Sequence, residues 1–199
     1  MANLGRRFDS VAPGEPLSPH GRLQAETLAD WFLERAIRPD LILTSPLRRA
    51  RETAAPLQRR SGRPLLVADL LREMASGEWD RRSSLDLADD PAFLAWREDP
   101  EVAPPGGGER LSDVAGRVLR LLDLLRRLAP HSSGALFTHA HGLHAGLSIA
   151  GRLRGEDGRV ERVPNCAIVH LRHAGGAWRL IELDRSVRDL ARTRAEAAR

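Results

Sequence analysis

The stretch Leu41-Ile42-Leu43-Thr44-Ser45-Pro46-Leu47-Arg48-Arg49-Ala50-Arg51-Glu52-Thr53-Ala54 decides the fold. It opens with a short apolar run, bounded by Pro39-Asp40 before it and Ser45-Pro46 after it, which is the pattern of a buried strand. A helix from about Arg48 to Arg60 follows at once. A strand that passes through a tight turn into a helix is the unit from which α/β domains are built. Upstream, Leu23, Leu28, Trp31, Phe32 and Leu33 give the segment Gly21 to Arg35 a helix with an apolar stripe. Downstream, the short strand Leu65-Leu66-Val67 leads into Leu70-Leu71-Arg72-Glu73.

The alternation continues. Leu111, Val114, Val118, Leu121, Leu122, Leu125 and Leu128 recur at three and four residues and define the longest helix, entered through Gly106-Gly107-Gly108. Ala135-Leu136-Phe137-Thr138 is expected to be a fully buried strand with His139 at its carboxyl end, followed by a helical stretch to about Ala150. Two strands, Cys166 to Leu171 and Trp178 to Leu183, flank Ala174-Gly175-Gly176 as a hairpin. The polar, acidic and proline-rich segment Arg81 to Pro105 has a brief helical candidate around Phe93 and Trp96 and is expected to pass over the sheet edge, where such excursions often cover sites. The expected architecture is α/β, a three-layer α/β/α domain over residues 1–185 with a mainly parallel mixed sheet, and a charged C-terminal tail over 186–199 that is either a charged helix or a frayed end.

Composition narrows the function classes. At 199 residues, with 42% hydrophobic and 29% charged, the chain is long enough for one substantial core. No apolar run reaches the roughly 20 residues of a membrane span, and the start lacks a signal-peptide stretch, so the cytoplasm is the expected location. The net charge of +4 does not imply nucleic-acid binding: all 31 basic residues are arginine, they are interleaved with 27 acids, and no aromatics are spaced among them for stacking. The absence of lysine and tyrosine is what drives the pI to about 10.8. The single cysteine, Cys166, has apolar neighbours and is expected to be a buried strand residue rather than a reactive thiol.

In open α/β sheets ligands bind beyond the carboxyl ends of the strands. Three polar clusters stand there: Thr44 to Ala50, Leu71 to Trp79, and Thr138-His139-Ala140-His141-Gly142. Together they offer a guanidinium for an anion, a carboxyl group for proton transfer and an imidazole, a set that suits phosphoryl chemistry. Taken singly, Arg49 reads equally as a helix-surface charge, Glu73 as its partner and His139 as a satisfied core histidine. Their joint position at three strand ends favours a site.

Ser45-Pro46-Leu47-Arg48-Arg49-Ala50-Arg51-Glu52-Thr53-Ala54 resembles the SPLxRAxxTA segment of the histidine phosphatase (phosphoglycerate-mutase-like) family, and Leu71-Arg72-Glu73 through Gly77-Glu78-Trp79 resembles its LREIxxGEW segment. Leu17 to Ala25, Pro105 to Glu109 and Pro164-Asn165-Cys166 match its LTPxGxxQA, PGGES and PNxS elements in the expected order. The resemblance implies that Arg49, Asn3, His139 and Ala140 contact the phosphoryl group, that Glu73 is the general acid, and that His139 also stabilises the transferring group. It implies no cofactor and no metal, and as ligand a small phosphorylated substrate or inorganic phosphate. It further implies hydrolysis through a phosphohistidine.

The family's first strand, ending in Arg-His-Gly with the nucleophilic histidine, has no counterpart in the 199 residues. The chain is therefore expected to begin just downstream of that motif, with an interior gap beside the strand ending at His139 and with impaired turnover. Ala140 replaces the usual glycine after the second histidine, and His144 stands where an arginine is common. One alternative is a non-catalytic binder of phosphate ligands. Another is a zinc hydrolase using His139, His141 and His144, because this segment resembles the HxHxDH motif of metallo-β-lactamase-like enzymes, with Leu143 in place of its aspartate. In-frame DNA upstream of Met1 is expected to encode an apolar run ending in Arg-His-Gly; an immediate in-frame stop with no other start codon would defeat that expectation.

Overall fold

The computed structural model describes residues 7–156 and 158–197. Asn3 lies outside them. Helix α1 (Pro19–Glu34) starts where Ser18 caps the Gly21 amide at 3.1 Å with Pro19 in the first turn. Strand β1 (Leu41–Thr44) leads to α2 (Arg48–Ser61), which stops at Gly62 in the left-handed region. Next come β2 (Leu65–Val67), α3 (Pro91–Glu98), α4 (Leu111–Leu128), β3 (Gly134–Phe137) and α5 (Ala140–Ile149). The hairpin β4 (Ile168–Ala174) and β5 (Ala177–Asp184) turns through Gly175 and Gly176, both with positive φ.

Strand β1 is the centre of a parallel sheet ordered β2-β1-β3, and Thr44 is level with Val67 and Phe137. Side chains alternate across this sheet. Ile42, Ala135 and Phe137 pack with α1, α2 and Val187, whereas Leu43 and Leu136 face Leu71 and the α4 residues Leu121 and Leu125. This is the expected three-layer α/β/α arrangement. Among the described residues, no helix is long and apolar enough to cross a membrane.

The sheet is in two pieces, however. Among the described residues β3 pairs only with β1, and β4 only with β5, so one edge of each is unpaired. A cavity of about 1440 Å³ is lined by residues 134–139 and 163–173, by Leu28, Trp31 and Phe32 of α1, and by Val118, Leu122 and Leu125 of α4. It therefore runs between two strand edges and beneath both helical layers, the surroundings of a central strand. Ile168 reaches the α1 side and Leu171 the α4 side, so the hairpin continues both layers beyond the gap.

One expectation is corrected. Cys166 precedes β4 in a turn with φ of 57°, because Pro164 and Asn165 make the chain bend there. Its burial still pushes the thiol up to about 12, which leaves it unreactive. Of the two forms expected for the charged tail, residues 186–197 take the helical one, α6 (Ser186–Ala197), in which Val187 and Ala191 supply apolar positions that become fully buried. Ion pairs of Asp30 with Arg60 and Arg194, and of Glu26 with Arg59 and Arg60, join α1 to α2 and α6.

The excursion 81–105 is anchored by aromatic contacts. Trp79, Phe93 and Trp96 surround Phe8, with ring centroids 5.7 to 6.1 Å from it. Backbone bonds Phe8 N–H to Arg82 O and Arg81 N–H to Phe8 O, 2.9 and 2.8 Å, fix the segment after Arg7 alongside it.

Beneath this layer, the buried Arg117 of α4 donates to both Glu109 oxygens (3.0 and 3.2 Å), to Leu70 O (2.6 Å) and to Glu73 O (3.2 Å). Glu109 also accepts from Ala75 N–H at 2.9 Å. The loop carrying Glu73 is thereby clamped to the longest helix. Arg117→Met is expected to cost about 1–3 kcal/mol in urea unfolding, because the Leu70 and Glu73 carbonyls lose their donor and Glu109 keeps only Arg72, at 3.0 Å, as a charged partner; an unchanged midpoint would show that the clamp does not stabilise the fold.

Candidate active site

Each parallel strand delivers one polar cluster to the same end of the sheet. After β1, the buried Ser45 accepts the Leu47 amide at 3.2 Å, which turns the chain into α2 and places Arg49 in its first turn. After β2, a 3₁₀ turn at Asp69–Leu71 brings in Glu73. After β3, His139 occupies the cap position of α5 in extended conformation. Gly142 is required here: a Cβ would stand 2.1 Å from Thr138 Oγ1, which donates to Leu71 O at 2.9 Å and ties the last two clusters together.

Arg49, Glu73, His139, Ala140 and His141 all line the cavity already described. The His139 ring is held by a 2.7 Å hydrogen bond between Nε2 and Ser45 Oγ. Burial pushes His139 down to about 4; Glu73 opposes the shift, and Arg49 and Arg117 add to it, so the imidazole is neutral at pH 7. Arg49 donates to Asp9 through Nη1 to Oδ2 at 2.7 Å and Nη2 to the backbone oxygen at 2.8 Å. Its fork is occupied by a carboxylate of the chain itself.

A general acid must hold a proton near neutral pH, and the Glu73 carboxyl does not hold one of its own. Burial favours the neutral acid, but the charge and hydrogen bond of His141, reinforced by His139 and the Met74 amide, outweigh it and hold Glu73 well below the usual carboxylate range. Oε1 accepts from Met74 N–H at 2.8 Å and from His141 Nδ1 at 3.1 Å. Burial lowers His141, yet Glu73 outweighs that and raises it above 6.5. The shared proton therefore resides on the imidazole.

The zinc arrangement is not formed. His139 bonds Ser45, His141 bonds Glu73, and His144 donates to Glu161 O at 2.9 Å, so the three rings are committed in different directions. Among the described residues no group of three histidine, cysteine, aspartate or glutamate side chains is placed to hold a metal ion.

Sequence reasoning brought Arg49, Glu73 and His139 together but did not single out Asp9, Ser45 or the pairing of His141. Asp9 carries no motif of its own and meets Arg49 across 40 residues. The His141 signal was its position two residues after His139, which places it one helical step from the cap and near the Glu73 loop.

The Glu73–His141 pair predicts a pH signature in stability. A raised imidazole contributes below its unfolded value of about 6.5 and loses that contribution as pH rises through its higher folded value. The stability advantage of the wild type over His141→Gln should therefore shrink on going from pH 6 to pH 9 in parallel urea titrations. A constant difference would remove the ion pair.

Comparison with known proteins places this geometry. The family description "Histidine phosphatase superfamily (branch 1)" matches residues 2–185. Glucosyl-3-phosphoglycerate phosphatase of Mycobacterium tuberculosis is 40% identical over 158 residues, covering 74% of this chain and 69% of that protein. The Mycolicibacterium vanbaalenii protein of the same name is 44% identical over 122 residues, and the match spans only about half, 52%, of its length. Adenosylcobalamin/alpha-ribazole phosphatase of Escherichia coli is 30% identical over 186 residues, with 92% and 85% covered. The solved mycobacterial glucosyl-3-phosphoglycerate phosphatase in complex with inorganic phosphate superposes with a TM-score of 0.77 at 30% identity, covering 92% of this chain and 93% of that one. The motifs, the three strand-end clusters and these matches agree: the chain belongs to the histidine phosphatase superfamily.

Proposed function

We propose that this protein is a phosphomonoesterase of histidine phosphatase type acting on a small phosphorylated metabolite. The observation that carries this reading is the convergence of Arg49, Glu73 and His139, from three separate strand ends, on one cavity. The names of the relatives, phosphatases of a glucosylated phosphoglycerate and of alpha-ribazole, support a small phosphorylated ligand. Phosphatase is favoured over mutase because the excursion 81–105 is short, and a mutase must close its pocket against water. The cytoplasm remains the proposed location, with no metal or other cofactor.

In this reading Arg49 offers paired donors to phosphoryl oxygens, together with Ala140 at the start of α5 and Asn3. Neutral His139, oriented by Ser45, donates to the group as charge builds on it. Glu73 faces the leaving oxygen, and the proton that oxygen takes is held by the Glu73–His141 pair. The nucleophile in this reading is the histidine that the family carries on a strand ending in Arg-His-Gly, and the slot between β3 and β4 suits such a strand, with edges unpaired among the described residues and apolar residues above and below. Positioning of a nucleophile supplies roughly 7–11 kcal/mol of such a barrier, which arginine and acid contacts do not replace. The 199 residues, which contain no Arg-His-Gly, are therefore proposed to bind phosphate with little turnover. A second reading, a phosphate-ligand binder without catalysis, shares Arg49 and the cavity.

A comparison of two lengths tests the proposal. The 199-residue chain should show negligible hydrolysis of a generic phosphomonoester, and the same chain preceded by an apolar strand ending in Arg-His-Gly should turn over. In the longer protein His139→Ala and Glu73→Ala should each lower kcat by about 10²–10⁴. Robust, chelator-insensitive hydrolysis by the shorter chain would overturn the phosphohistidine route, chelator-sensitive hydrolysis would revive the zinc reading, and inactivity of both lengths would leave the binding reading.

A further inference from the structure

The cation assigned to the phosphoryl group is already bridged. Asp9 Oδ2 lies 2.7 Å from Arg49 Nη1, and the Asp9 carbonyl lies 2.8 Å from Nη2, so both arms of the guanidinium fork are taken by one residue. The contact is built rather than incidental. Gly14, at φ of 66°, packs so closely over the pair that a Cβ would meet Asp9 Oδ2 at 3.0 Å and Arg49 Nη1 at 3.1 Å. The Glu15 amide donates to the same Oδ2 at 3.0 Å, and the Arg48 amide donates to Pro13 O, which fastens this loop to the start of α2. Asp9 therefore keeps a hydrogen-bond donor even when its bond to the arginine is given up. Arg49 and Asp9 side chains are 23% and 17% exposed, and both line the cavity, so an anion from solvent reaches them.

We propose that Asp9 is a charge-selecting residue: its carboxylate competes for the Arg49 fork, so that phosphomonoester dianions displace it and monoanions do not. The inference rests on the reading of Arg49 as the phosphoryl-binding residue. A carboxylate or a phosphodiester brings the same single charge as Asp9 and must also overcome a contact that is already formed and held in place. A phosphomonoester brings close to two charges and three acceptor oxygens at neutral pH, enough to take the fork while Asp9 remains on the Glu15 amide. The price is weaker binding of every anion than an unoccupied arginine would give. The gain is rejection of carboxylates and diesters.

The test uses the 199-residue chain and does not need catalysis. Binding of methyl phosphate and of dimethyl phosphate, a dianion and a monoanion of similar shape, is measured by calorimetry at about pH 8, above the monoester's second pKa near 6. The wild type should bind methyl phosphate and not measurably bind dimethyl phosphate. Asp9→Asn, with Asp9→Ser as a second variant should the first fold poorly, should bind methyl phosphate roughly three- to tenfold more tightly, the worth of an ion pair that solvent still reaches, and should acquire dimethyl phosphate binding. Arg49→Gln should bind neither. Unchanged affinities in both Asp9 variants, with loss in Arg49→Gln, would overturn the role of Asp9 alone. Equal binding by the wild type and Arg49→Gln, or none by any variant, would overturn the phosphoryl-binding reading of Arg49 and this inference with it.

Discussion

The in-register pairing of β1 with both its neighbours is the constraint from which the site follows. Thr44, Val67 and Phe137 end level, so the segments that leave these strands begin at one height and within side-chain reach of each other. Arg49, Glu73 and His139 meet for that reason, although they are distant in sequence. A one-residue slip of β3 would turn Phe137 and Ala135 toward the wrong layer and carry His139 away from Ser45. The apolar alternation that builds the core therefore also enforces the geometry of the candidate site. Arg117 completes this from below, because it holds the carbonyls of Leu70 and Glu73 while its charge is matched by Glu109.

Within that frame, charge is partitioned among neighbours rather than assigned residue by residue. His139, deeply buried and with arginines nearby, is kept neutral, while His141 two positions later keeps its proton because the Glu73 carboxylate lies against it. Two histidines in one turn thus carry different charges. Glu73 serves as counter-ion to one and as partial compensation to the other, so its substitution would alter both imidazoles at once.

The α/β class, the strand at Leu41–Thr44 and the course of α4 were legible because periodicity reports burial, and burial is what the layers impose. The candidate residues were legible because they sit at strand ends within dense motifs. Asp9 was not: its significance arises only when the loop folds back over α2, and no local spacing encodes a contact of that range. Cys166 illustrates the converse. Its apolar neighbours suggested a strand, but Pro164 and Asn165 set the backbone direction, and the residue lies in the turn that precedes β4. The division of the sheet was foreseeable only from the resemblance, since nothing in the pattern of β3 or β4 says which edges stay unpaired.

The ion pairs that join α1, α2 and α6 have a consequence for the direction in which the molecule yields to pH. Their cations are all guanidinium groups, which stay charged far into the alkaline range, and the chain has neither lysine nor tyrosine to titrate before them. Their anions behave differently. Burial works against the Asp30 charge, but Arg194 and Arg60 overcome it and hold its carboxyl below the ordinary value. A depressed carboxyl contributes above its unfolded value and is lost as pH falls through the folded one. The outer helical seam is thus indifferent to base and yields to acid, and α2 and α6 both lose an electrostatic tether to α1 when Asp30 takes up its proton.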